Sequence, residues 1–108
     1  MRNAIVLALA FVATLAAAQK TSTVGLGASS CGSYNEFRAK GDEESRMMAG
    51  FYLQGYLSGI NAGMLANQRQ TKSIPDGAAL LSFVDSYCRR NPLERVDAAL
   101  IALYMQLR

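Results

Sequence analysis

Residues 47–65 read Met47-Met48-Ala49-Gly50-Phe51-Tyr52-Leu53-Gln54-Gly55-Tyr56-Leu57-Ser58-Gly59-Ile60-Asn61-Ala62-Gly63-Met64-Leu65. No charge interrupts the stretch, and glycine recurs at every fourth position, at Gly55, Gly59 and Gly63. At 100° per residue, Ala49, Leu53, Tyr56, Leu57, Ile60 and Met64 share one helix face. Met48, Tyr52 and the three glycines fall on the other side. Between them runs a thin polar seam of Gln54, Ser58, Asn61 and, further on, Gln68. Two apolar sides predict a central helix that is largely buried. A glycine in a helix interior costs about 1 kcal/mol against Ala, which is tolerable where another backbone comes close. The C-terminal helices are therefore expected to press on Gly55, Gly59 and Gly63. On that packing Gly59→Leu would cost roughly 1–3 kcal/mol by overpacking. Were the glycine face open instead, it would be the first choice for a partner surface.

The flanks supply stops, caps and partners. Asp42 caps the central helix, and Glu43 and Glu44 complement its dipole. Before it, Ser33-Tyr34-Asn35-Glu36 has the form of a capping box, predicting a short helix from Tyr34 to about Lys40 that Gly41 stops. Beyond it, 67–73 is polar and aperiodic, a solvated loop. Ile74-Pro75-Asp76-Gly77 turns the chain, with Asp76 as the cap of a helix from Gly77 to Arg90. Leu80, Leu81, Val84, Tyr87 and Cys88 form its apolar face. Asn91-Pro92-Leu93-Glu94 carries a cap, a proline at the first helical position and a glutamate three residues after the cap. The last helix then runs to about Gln106, with Val96, Ala99, Leu100, Leu103, Tyr104 and Leu107 as its stripe. No stretch alternates with period two. The expected fold is all-α: a small bundle of about four helices around the long central one.

Residues 1–18 read as a signal peptide. A short positive start with Arg2 leads into an apolar run from Ala4 to Leu15, and Ala16-Ala17-Ala18 offers small residues for cleavage. The run is short of the ~20 residues that span a bilayer, so no stable membrane span is expected. Residues 19–30 are rich in Gly, Ser and Thr and read as a flexible arm, leaving 31–108 as the helical domain. Removing Arg2 from 11 basic side chains leaves 10 against 8 acidic ones, a charge of +2. That balance, with no Trp and no long basic run, argues against nucleic acid.

Export places Cys31 and Cys88, the only two cysteines, in an oxidising compartment, where one disulfide should close the bundle. The chain has no His. The usual nucleophile–base pairs lack their base, no zinc set can form, and no cofactor is implied. The carboxylates read as helix-start residues, with Asp85 and Asp97 as solvated helix positions. Binding remains. Gln54, Ser58 and Asn61 must find hydrogen bonds if buried, either among neighbouring helices or on a partner. Tyr52, Tyr56, Met47 and Met48 are the second candidate set, being residue types enriched at protein interfaces.

Three motifs carry a resemblance: Ser30-Cys31-Gly32, Gly55-Tyr56-Leu57-Ser58-Gly59-Ile60-Asn61, and Tyr87-Cys88-Arg89-Arg90-Asn91-Pro92-Leu93. Together they resemble small exported proteobacterial helical proteins, among them immunity proteins of the Rap and Tai kind. Those neutralise effectors delivered by type VI secretion. The matching positions are Gly55-Tyr56, Ile74-Pro75-Asp76-Gly77, Tyr87, Pro92, Arg95 and Ala98, whereas Ser73 stands where that pattern usually has a cysteine. More loosely the chain is similar to HdeA, an acid-stress chaperone with a helical core and one disulfide. The resemblance implies a non-enzymatic protein of a Gram-negative periplasm that binds a protein, either a toxin or an unfolded client. A second copy of the chain is a further partner to consider.

Overall fold

The computed structural model describes residues 23–108. The expected signal peptide and the first residues of the arm lie outside the described residues. Four helices appear in order: α1 (Cys31–Ala39), α2 (Glu43–Ala66), α3 (Gly77–Arg90) and α4 (Val96–Gln106). No strand occurs among the described residues, and the fold is all-α. No helix among them is long and apolar enough to cross a membrane.

Two caps fall where the sequence places them. The Asp42 carboxylate accepts the Ser45 N–H at 2.7 Å, and the Asp76 carboxylate accepts the Ala79 N–H at 2.9 Å. Each satisfies a donor that the first helical turn leaves free. Gly41, at φ +68°, supplies the left-handed residue that separates α1 from α2.

Two other helix starts differ from expectation, and the differences share a cause. α1 begins at Cys31, and its cap is Ser30, whose Oγ accepts the Ser33 N–H at 3.1 Å. α4 begins only at Val96, and Asn91 closes α3, its N–H and its side chain both donating to the Tyr87 carbonyl at 3.0 Å. Between them, 92–95 forms a turn that trades backbone hydrogen bonds with the start of α1. Cys31 N–H donates to the Glu94 carbonyl at 2.6 Å, Gly32 N–H to Pro92 at 2.9 Å, and Val96 N–H to Ser29 at 3.0 Å. Each helix start thus uses the other's carbonyls, a tertiary exchange that outweighs the local capping preference of Asn91-Pro92. The part of the expected arm that is described, from Thr23, contains a 3-10 turn at Gly25–Ala28, and the Tyr52 hydroxyl donates to the Val24 carbonyl at 2.8 Å.

The core gathers where the helices converge. Leu53 and Leu57 of α2, Leu80 and Val84 of α3, and Val96 and Leu100 of α4 are fully buried, with Tyr34 of α1 and the Cys31–Cys88 disulfide beside them. The disulfide joins α1 to α3 with the two Cα atoms 4.7 Å apart. Three residues up α1 and three down α3 from it, the Tyr34 hydroxyl donates to Asp85 at 2.7 Å. Arg38, one turn further along α1, donates to both oxygens of the same carboxylate at 2.9 Å. Asp85, expected to be solvated, is instead a half-buried clasp between two helices.

Candidate functional site

The central helix is not buried on two sides. Ala49, Leu53 and Leu57 face the core, while the opposite face lies open along the helix. Met47 is 44% exposed, Met48 57%, Phe51 65% and Leu65 69%. Gly55, Ser58, Gly59, Ala62 and Gly63 lie exposed between them. A Cβ added to Gly55, Gly59 or Gly63 would meet nothing within 4 Å, so the expected close approach of α3 and α4 does not occur. Both C-terminal helices have α2 as a neighbour, but through its other face, where β-carbons and leucines fill the space. The glycines therefore lower the relief of an outward face; they do not admit a backbone from within.

This reverses the expected cost of filling Gly59. Gly59→Ala should stabilise the protein by about 0.5–1 kcal/mol, since it removes unfolded-state freedom and clashes with nothing. Gly59→Leu should be close to neutral rather than overpacked. Urea unfolding of the two variants checks this, and a loss above about 1 kcal/mol in both would mean that the face is covered in solution.

The expected polar seam is divided by the fold. Asn61 is structural. Its side chain donates to the Lys72 carbonyl at 2.7 Å and accepts the Lys72 N–H at 3.0 Å and the Tyr104 hydroxyl at 2.8 Å. It ties the 67–73 loop to α2 and α4. Gln54 is half-buried beside Gly77, where a Cβ would come within 3.5 Å of its amide. Tyr56 is half-buried, with its ring centroid 6.2 Å from that of Tyr52. Ser58 alone is fully on the open face. Internal pairing thus accounts for Asn61, and the seam is not one site.

The open face borders a groove between α2 and α3. Its apolar half, about 370 Å³, is lined by Met47, Gly50, Phe51, Gln54, Ala78 and Leu81 among others. Its basic half, about 300 Å³, adjoins at Arg46, Ala78 and Leu81 and carries Arg38, Arg89, Ser82 and Asp85. Composition carried no sign of this groove, because its arginines come from three different helices.

Electrostatically the clasp is the distinctive feature. Burial pushes the Asp85 carboxyl up, but the hydrogen bonds from Arg38 and Tyr34, with the Arg38 and Arg89 charges, outweigh it and hold it below its usual value. Burial first, then the bond to Asp85, pushes the Tyr34 hydroxyl well above its ordinary range. Neither group is tuned toward neutrality as a general acid or base would be. No buried side-chain nitrogen or oxygen among the described residues lacks a hydrogen-bond partner. No group of three or more Cys, Asp or Glu among them could hold a metal ion. No family model, curated protein or solved structure matches the chain.

Proposed function

We propose that the chain is a non-enzymatic exported protein that acts by binding a protein partner in the periplasm, most specifically an immunity-like protein that neutralises a secreted toxin. One observation carries the reading: α2 presents an uncharged outward face from Met47 to Ala66, with exposed Met47, Met48, Phe51 and Leu65 around a shallow glycine floor. An apolar surface of this length on a small domain is a mark of interaction. Met and aromatic side chains are enriched in interfaces. The motif Gly55-Tyr56-Leu57-Ser58-Gly59, on which the resemblance to immunity proteins rests, lies in this same helix. The test is co-expression with effectors encoded beside the gene. Protection, and a complex lost in Gly59→Arg while the fold survives, is the expected result. Absence of protection against every neighbouring effector would sink the reading.

A second reading, an acid-stress chaperone, is favoured by the Arg38–Asp85–Tyr34 clasp. The folded state holds Asp85 below its usual value. Its contribution is therefore present above the unfolded carboxyl value of about 3.9 and is lost as pH falls through the folded value. Acid would then loosen α1 from α3, leaving the disulfide, the Tyr34 ring in the core and the bond from the Asn35 amide to the Cys88 carbonyl at 3.1 Å to hold it. Wild-type stability should fall steeply below about pH 4. Asp85→Asn should be less stable at pH 7 by about 1–3 kcal/mol and show a shallower acid fall. Urea midpoints at pH 7 and pH 3 measure both. Parallel acid falls in the two proteins would remove the clasp as the sensor, and failure to suppress client aggregation at pH 2–3 would remove the chaperone reading.

A further inference from the structure

We propose that the groove between α2 and α3 is a docking site for an acidic segment of the partner, one that pairs an apolar anchor with carboxylates about one helical turn away. The proposal rests on the reading that the chain acts by binding a protein. It adds which surface is used and what chemistry the partner brings.

The groove has two unlike ends joined at Arg46, Ala78 and Leu81. At the apolar end the floor is formed where Gly50 meets Leu81, a Cβ at Gly50 coming within 3.7 Å of the leucine methyl. Met47 and Phe51 stand above it, both exposed. This end fits an apolar side chain. It continues into the outward face of α2, so a partner seated on that face reaches it without a gap.

At the other end the charges are unevenly used. Arg38 is spent on Asp85, with both carboxylate oxygens bonded. Arg46 is held by Glu43 one turn away, at 3.2 Å from Nε, in a pair that is open to solvent. Such an exposed pair contributes little and is readily exchanged for a better carboxylate. Arg89 is exposed and makes no ion pair among the described residues. Ser82 adds a hydroxyl to the same wall. Arg89, and Arg46 once it exchanges Glu43, thus offer guanidinium groups to anionic oxygens in the groove that carries the apolar floor, a pairing that suits bidentate recognition of carboxylates. A polyanion such as nucleic acid would meet the Glu43 and Asp85 carboxylates in the same walls, whereas a segment with two or three acids can avoid them. Arg46 and Arg89 also give the association a steering field for an acidic partner.

The experiment titrates the purified exported protein with a labelled helical peptide carrying two leucines at i and i+4 and two glutamates on the next turn. A second peptide has glutamine in place of both glutamates. Saturable binding is expected, weakened about tenfold or more by the glutamine peptide, by Arg89→Glu and by Ala78→Leu. Ala78 and Arg89 are exposed, so both variants should remain folded, Ala78→Leu at the wild-type melting temperature and Arg89→Glu a few degrees below it because the Arg89 charge supports the Asp85 clasp. Arg69→Glu, in the polar loop outside the groove, should bind as wild type. Absence of saturable binding, equal binding of the two peptides, or loss of affinity only in Gly59→Arg would overturn the groove. The two readings separate cleanly. Peptide capture without toxin protection removes the immunity function and leaves the groove. Toxin protection retained in Arg89→Glu and Ala78→Leu removes the groove and leaves the immunity function.

Discussion

Replacing Cys31 and Cys88 together by alanine should lower the unfolding free energy by roughly 4 kcal/mol, the largest single loss expected in this protein. The two residues are 57 apart, and closing a loop of that length removes unfolded-chain entropy of about that size. A small domain has about 5–15 kcal/mol in all, so the reduced protein should be close to unfolding at 37 °C. The loss should also have a location. α1 has only nine residues, too few to persist alone in water. It is held by the disulfide, by Tyr34 in the core and by the clasp of Arg38 and Tyr34 on Asp85. Hydrogen exchange should therefore show α1 losing protection first, with α2 and α3 following. The melting temperature should fall by about 15 °C or more, taking roughly 4–8 °C per kcal/mol for a domain of this size. A fall of less than about 5 °C would mean that packing of Tyr34, rather than the bridge, secures α1.

How much of this could be read from residues alone depends on whether the deciding interaction is local. Asp42 and Asp76 cap their helices because a capping carboxylate needs only the N–H three residues on, and α3 runs from Gly77 to Arg90 as its cap and apolar spacing predict. The cysteine pairing followed from a count of two and the expectation of export, without any pattern around either residue. Asn91-Pro92-Leu93-Glu94 looked equally local, yet the Pro92 and Glu94 carbonyls are taken by Gly32 and Cys31 from the far end of the domain. No pattern within 91–94 encodes that exchange. Asp85 is an intermediate case. Once Cys31 is joined to Cys88, a step of three residues up one helix and down the other sets Tyr34 against Asp85, so the clasp is implied by the disulfide and helical spacing together. The glycine face shows a different limit. Periodicity reports which residues share a side of α2, but with apolar and small residues all round the helix it does not say which side the bundle covers. Ala49, Leu53 and Leu57 took the inside, and the glycine side was left out together with Met47, Met48, Phe51 and Leu65.

That choice of side can be read directly from neighbouring residues of one helix. Leu53→Ala should cost about 3 kcal/mol: the leucine is fully buried, and truncation leaves a cavity in a core shared by α2, α3 and α4. Two positions away, Phe51→Ser should change stability by no more than about 0.5 kcal/mol, although a phenylalanine has been exchanged for a hydroxyl. Gly55→Ala should raise stability by about 0.5–1 kcal/mol. Urea unfolding of the three variants on one day and in one buffer gives the contrast free of extrapolation differences. The stability order expected is Gly55→Ala above wild type, Phe51→Ser level with it and Leu53→Ala far below. For partner binding the order changes. Leu53→Ala, where it remains folded, should bind normally, while Phe51→Ser should lose affinity because its ring stands at the junction of the open face and the α2–α3 groove. A residue that is dispensable for folding and needed for binding is what separates an interaction surface from a stray exposed hydrophobe. If Phe51→Ser instead unfolds the protein by more than about 2 kcal/mol, the ring is covered in solution, and the outward face of α2 belongs to the core of a larger assembly.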